Sequence, residues 1–312
     1  ALLSAATFGL NNATLRRGVL TGSALQGLMV TVPMGVPLFA LGALGFGALS
    51  GLAAMTAPSL FWFGVAGILH FIVGRYGNYR ATRAMGANLS GPVQQLGILV
   101  SLTLAMVFLG ERLSPLSLIG ILLVLIGPFV MLHGKRGPTA SGFVPDYGEG
   151  LFWGVICALG HGGSPLFIAW GLDGAGVGEA MLGGLVSYAA AAALLALLML
   201  APVPRRHVAD MERGAARWFA VSGLFVFVSQ MFRYAALAIA PVSVVAPIQR
   251  LSVVFRVLFG WLINREHEVF GVWVLSGIAL SLVGAAMLTL SVDWVAAMLP
   301  PGAAAALDWR WP

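Results

Sequence analysis

The chain has 312 residues, 59% of them hydrophobic and only 9% charged, with a mean hydropathy of +0.94. Soluble domains carry about 25% charged residues, so water is not the main solvent here. The net charge of +6 is no nucleic-acid signal, because basic loop residues serve membrane topology and lipid headgroups, and the single Cys157 excludes an internal disulfide or a cysteine metal cluster.

Apolar runs of about 20 residues recur along the chain and give room for about ten membrane-spanning helices. The absence of period-two alternation argues against an outer-membrane barrel. The first segment covers 1–17 and closes at Arg16 and Arg17, without the pattern of a signal peptide. The second covers 21–48, bent by Pro33 and Pro37. The third opens at Pro58 and runs to Tyr79; the fourth, 84–109, contains Pro92 and stops at Gly110-Glu111-Arg112. The fifth is 115–133, ending before Lys135 and Arg136. Residues 137–150, GPTASGFVPDYGEG, read as a linker. Segments six to ten follow at 151–171, 180–202, 216–239, 242–263 and 269–291. The expected organisation is a first five-helix unit (1–136), the linker, a second unit (151–291), and a tail (292–312) whose Trp294, Trp309 and Trp311 suit the membrane interface.

One stretch occurs twice. Residues 79–111 and 234–266 align at an offset of 155, bringing Tyr79 onto Tyr234, Ala81 onto Ala236, Pro92 onto Pro247, Gln94 onto Gln249, Leu96 onto Leu251 and Glu111 onto Glu266. A Pro-x-Gln inside an apolar run, closed 17 residues later by Glu, is an improbable pattern to find twice in register. It implies a membrane protein of two like halves. Because five is odd, the halves would enter from opposite sides, related by a pseudo-two-fold axis in the membrane plane.

This layout resembles the drug/metabolite transporter superfamily, specifically its ten-helix EamA-type members. The residues that carry the resemblance are SGPVQQLGILVSLTLAMVFLGERLSPLSLIG at 90–120 with LVLIGPFVML at 123–132, and VAPIQRLSVVFRVLFGWLINRE at 245–266 with LVGAAMLTL at 282–290. The chain departs from the family at Phe8-Gly9, where Trp-Gly is usual, and at Arg265-Glu266, where Gly-Glu is usual. The resemblance implies an all-α fold whose segments one, three, four, six, eight and nine line a central cavity, with cytoplasmic termini and export as the direction.

Polar side chains inside a bilayer are costly and mark function by default. Read from the residues alone, they fall on the same six segments: Asn11 and Asn12; His70, Arg75 and Asn78; Asn88, Gln94 and Gln95; His161; Gln230 and Arg233; Gln249, Arg250 and Arg256. The remaining segments carry few, chiefly Gln26 and Tyr188. Arg250 and Arg256 flank the centre of the ninth segment by about 4–5 Å, too deep to snorkel, and no Asp or Glu lies inside any segment to pair with them. Gln249 and Arg256, seven apart, share a helical face.

The candidate substrate-binding residues are therefore Arg250, Arg256, Arg233, Gln249, Gln94, Gln95, Asn88, Arg75, His161 and His70. Each has a structural alternative. The arginines can bond helix-end carbonyls, the asparagines can join helices, and the histidines can be packing residues or carry protons. Trp62 and Trp170 can wall a pocket or face lipid, and Glu111 and Glu266 read as turns. No catalytic motif, cofactor loop or metal cluster is present in the sequence, so no enzyme and no cofactor are expected.

The expected function is a secondary carrier moving a small anionic metabolite across a bacterial inner membrane by alternating access, with membrane lipids around it and no nucleic-acid partner. A lipid flippase and a non-transporting subunit are the rivals, and a homodimer or membrane complex stays open. The loops after segments one, three, five, seven and nine hold 11 basic residues against 2 elsewhere, which places both termini outside by the positive-inside rule, opposite to the resemblance.

Overall fold

The computed structural model describes residues 1–110, 115–133, 142–268 and 270–289, and every regular element among them is helical. Among the described residues, six helical stretches are long and apolar enough to cross a membrane. Helix α1 is Leu2–Thr21 and α2 is Ala24–Gly45, the latter opened by a capping box between Ser23 and Gln26. Helix α3, Ala57–Gly67, starts on a Thr56 cap with Pro in its first turn. It passes into a π-helical stretch, Ile68–Gly74, and then into α4, Arg75–Gln95.

The apolar run from Ala57 to Leu109 is 53 residues long. Straight, it would span about 80 Å at 1.5 Å per residue, against about 30 Å of hydrocarbon. Gly86 resolves this. Its φ of +86 and ψ of 163 interrupt α4, a backbone conformation that a side chain would strain. The chain continues as α5, Gly97–Leu109; α6, Pro115–His133; α7, Tyr147–Leu172; and α8, Val177–Leu198. Then come the short α9, Pro202–Ala209; α10, Arg213–Ile239; α11, Val242–Arg250; α12, Ser252–Asn264; and α13, Val272–Thr289.

Several boundaries differ from the sequence reading: the first segment runs on to Thr21, and no gap separates the third and fourth, because α4 is helical from Arg75 to the Gly86 interruption. The sixth segment begins at Tyr147, because Asp146 accepts from the Glu149 N–H and caps it, so the end of the supposed linker is helix. The fourth and ninth segments are each interrupted, at Leu96 and Leu251, whose ψ angles of −22 and −14 tighten the turn. Glu111, Arg112, Lys135, Arg136, Trp294, Trp309 and Trp311 lie outside the described residues.

Helix α1 packs against α10 and α12, while α7 packs against α3, α4 and α5. Helix α2 lies on α8 and α10, α3 on α8, and α6 on α13. A Cβ at Gly67 would collide with the Ser187 carbonyl, so glycine sets the approach of α3 to α8. The solvent rule is inverted, as a bilayer demands. Phe108, Phe129, Leu197 and Leu262 are exposed, whereas Arg16, Arg256, Tyr79, Tyr188 and Tyr234 are fully buried.

One end of the bundle is tied by polar contacts. Arg80 pairs with Glu149 at 2.6 Å, Arg17 donates to the Ile263 carbonyl at 2.7 Å, and Ser23 lies 2.8 Å from His207. Glu268 is the deepest of these ties. It accepts from the N–H groups of Ala87 and Asn88 at 2.7 and 2.9 Å, just past the Gly86 interruption, and pairs with buried Arg16 at 3.5 Å. Burial pushes its carboxyl above the ordinary range, while Arg16 and the two amides pull it back. Arg16 also donates to the carbonyls of Thr82, Arg83 and His267, so Glu268→Gln should cost about 1–3 kcal/mol, chiefly by turning one acceptor of the Ala87 and Asn88 amides into a donor. The reading is a lowered thermal midpoint in detergent, and an unchanged midpoint would refute it.

Candidate functional site

Six helical elements converge on one cavity. Helix α1 contributes Ser4, Ala5 and Phe8, and α10 contributes Ser229, Gln230 and Arg233. Helix α11 contributes Gln249 and Arg250, and α12 its first residue, Ser252. His70 comes from the π-helical stretch and His161 from α7. A π-helical turn in the middle of a spanning helix is rare and recurs at functional positions. The cavity holds about 40 Å³ of free space, room for about three waters.

Its polar wall is tightly joined. Arg233 donates from Nη2 to Ser164 Oγ at 2.8 Å and from Nη1 to Gln230 Oε1 at 3.1 Å. The same Nη1 lies 3.0 Å from His70 Nδ1. The rings of His70 and His161 stack at 4.3 Å, and Phe8 meets His161 edge-on at 5.9 Å. Gln249 donates to Ser4 Oγ at 3.1 Å, and Ser229 donates to the Ser4 carbonyl at 2.8 Å. Arg250 donates to the Gln94 carbonyl at 3.2 Å, while its buried Nε has no acceptor. Among the described residues, neither Arg233 nor Arg250 has a carboxylate within ion-pair distance.

Of the ten sequence candidates, Arg233, Arg250, Gln249, His70 and His161 line this cavity. The other five lie outside its lining. Arg256 donates to the Ala87 carbonyl and to Gln94 Oε1, both at 3.1 Å. Gln94 in turn donates to Asn78 at 2.8 Å, and Asn78 to Asn12 at 3.0 Å. This chain of amides joins α12, α4 and α1. The expectation that Arg256 shares the face of Gln249 assumed an unbroken helix, and the interruption at Leu251 separates them. Gln95 donates to the Arg250 carbonyl at 3.0 Å, and the Asn88 backbone is held by Glu268. Arg75 donates to the Tyr188 hydroxyl at 2.8 Å, with its guanidinium 4.8 Å from the Phe71 ring centre.

Trp62 and Trp170 do not wall the cavity. They meet each other at 4.7 Å in an aromatic group with Phe61, Phe108 and Phe167. The sequence reading missed Ser4, Ser164, Ser229 and Ser252, because serine in a helix often only satisfies its own backbone. It also missed Glu268, which lies in a loop and reaches inward.

Arg256→Gln should lower stability by about 1–3 kcal/mol for each acceptor it leaves unsatisfied. A thermal midpoint equal to wild type, together with lost transport, would instead return Arg256 to a substrate role.

Residues 148–290 match the EamA-like transporter family, and residues 48–139 match the family described as magnesium transporter NIPA. Both are families of transporters rather than enzymes. A Pseudomonas aeruginosa relative, uncharacterized protein PA1977, is 35% identical over 108 residues, a match spanning 27% of this chain and 38% of the relative's length. A solved structure described as "Crystal structure of protein" covers 93% of this chain and 97% of its own, with a TM-score of 0.58 and 19% identity. That likeness speaks to the fold alone.

Proposed function

We propose that this chain, a multi-pass membrane transporter whose residues 148–290 are EamA-like and so of the drug/metabolite transporter superfamily, is a secondary carrier for a small organic anion. The observation that carries this reading is the pair Arg233 and Arg250. Both line one cavity, without a carboxylate beside them among the described residues. An isolated buried charge is costly, and the neutral acceptors leave Arg250 Nε unsatisfied. A carboxylate or phosphate entering the cavity would complete both guanidiniums with charge-assisted bonds. Likeness to a magnesium transporter family would suggest a cation, but two fixed positive charges repel one from this cavity.

The proposed architecture is ten crossings in two inverted repeats, and the contacts support it. Exchanging the halves turns α1 on α10 into α7 on α3 and α4, and turns α1 on α12 into α7 on α5. The same exchange turns α2 on α10 into α8 on α3, and leaves α2 on α8 and α6 on α13 unchanged. Tyr79 lies 2.9 Å from Thr31, and Tyr234 donates to Ser187 at 2.7 Å, at equivalent places. Gln95 and Arg250, separated by the repeat offset of 155, meet each other directly.

A cavity sized for water cannot hold an organic solute, so transport requires the lining helices to part, as alternating access does. Larger recesses stand ready toward opposite ends. One, of about 590 Å³, is lined by Arg80, Arg83 and His207 with Glu149, and the other, of about 320 Å³, by Asp173 and Glu179. By the positive-inside rule the basic end faces the cytoplasm; the assignment of export across a bacterial inner membrane rests on the resemblance to EamA-type members alone.

Arg233→Gln and Arg250→Gln should each weaken anion affinity at least about tenfold, equivalent to about 1.4 kcal/mol. Arg250→Lys should rescue part of this, keeping charge but losing the planar fork. Uptake of labelled anionic metabolites into proteoliposomes measures both, and wild-type affinity in the Gln variants would refute the anionic reading. A cysteine introduced between 203 and 217, in a Cys157-free background, should resist an impermeant reagent added outside sealed cells. Efficient labelling there would reverse the orientation.

A further inference from the structure

We propose that the basic recess where α2, α4, α7 and α9 meet binds the phosphate of an anionic phospholipid from the cytoplasmic leaflet. The inference is independent of what the central cavity carries.

Arg80, Arg83, His207, Tyr76 and Glu149 line this recess, whose volume of about 590 Å³ is that of a small-molecule site. It opens on the outer side of α4. Arg75 and Asn78 of that helix turn inward, to Tyr188 and to Asn12, whereas Tyr76 and Arg80, about one turn apart, line the recess. Its depth is that of lipid headgroups. Tyr76 and Trp153 meet edge-on at 5.2 Å, and the Arg80 guanidinium lies 4.9 Å from the Trp153 ring centre; both aromatic types favour the membrane interface. Beyond Glu149, α7 exposes Phe152, Val155 and Leu159, an apolar surface for acyl chains.

The charges in the recess do not cancel. Glu149 is its one carboxylate, and Arg80 takes it up: Nε donates to Oε1 at 2.7 Å and Nη2 lies 2.6 Å from the same oxygen. Arg83 is exposed and, among the described residues, has neither an ion pair nor a side-chain hydrogen bond. One positive charge is therefore in surplus. His207 is held at the rim, with Nε2 2.8 Å from Ser23 Oγ and its carbonyl accepting from Gln26 at 2.8 Å. The first turn of α2 lines the recess beside it, an end of the helix that also favours an anion. A phosphate diester offers only acceptors and one negative charge, which matches the guanidinium donors and the surplus charge. A zwitterionic headgroup brings no net charge to match it.

The test uses the purified protein in a neutral maltoside detergent, titrated with phosphatidylglycerol or with phosphatidylcholine. The readouts are the thermal midpoint and the lipids retained in native mass spectrometry. Phosphatidylglycerol should raise the midpoint saturably, as a ligand of the folded state does, and phosphatidylcholine should not. Arg83→Gln strands no partner, so its midpoint without lipid should equal that of wild type. Its affinity for phosphatidylglycerol should fall at least about tenfold, beyond the roughly fivefold that one basic residue contributes through surface attraction alone. Arg213→Gln, which removes a charge at the start of α10 outside the recess, should lose no more than that fivefold. Equal responses to the two lipids, equal losses in the two variants, or an undiminished response in Arg83→Gln each overturn the site. Glycerol 3-phosphate and inorganic phosphate form the soluble arm. If either reproduces the Arg83-dependent shift at the concentration where the lipid saturates, the recess serves a free phosphate and the lipid assignment falls.

Discussion

The structure depends on how four guanidiniums inside the bundle are held without an ion pair to a carboxylate among the described residues. Arg75, Arg233, Arg250 and Arg256 lie inside an apolar bundle, where a charge left bare would cost several kcal/mol. Each is surrounded instead by neutral acceptors: hydroxyls of Tyr188 and Ser164, side-chain amides of Gln94 and Gln230, and carbonyls of Thr31, Ala87 and Gln94. These acceptors come from helices distant in sequence, so satisfying the arginines also fixes how the helices meet.

The four are not equivalent. Arg75 and Arg256 are committed to the frame: one lies against the Phe71 and Tyr188 rings, and the other anchors the amide chain through Gln94, Asn78 and Asn12. Arg233 and Arg250 border free space, and their bonds reach groups that can be exchanged for a ligand. A frame of satisfied arginines around a pair with capacity to spare is a reasonable way to keep a site charged and the bundle intact. Glu268 completes the arrangement from outside, since its carboxylate serves Arg16 and the restarted helix at Ala87 without entering the cavity.

Leu96 and Leu251 explain why the site lies where it does. Each interrupts its helix four residues after a proline, and the two lie 155 residues apart. Around these interruptions Gln95 and Arg250 cross, each bonding the opposite backbone. Interrupted helices in a membrane are tolerated where protein partners take up the freed backbone groups, and side chains from the opposite helix do so here.

The sequence by itself determined the solvent, the apolar stretches and which of them carry polar residues. Each of these is a property of composition or spacing along the chain. Only the tertiary structure decided which arginines border the cavity. A seven-residue spacing places Gln249 and Arg256 on one face of a straight helix, but the interruption at Leu251 and the reach of Gln94 from α4 set them apart. Tertiary structure alone also gave Ser4, Ser229 and Ser164 their places, because a serine's hydrogen bond within its own helix and one across a cavity look the same in sequence. Glu268 was hidden for a related reason. It sits outside every apolar segment, and only the turn at Gly86 brings the Ala87 and Asn88 amides to its carboxylate.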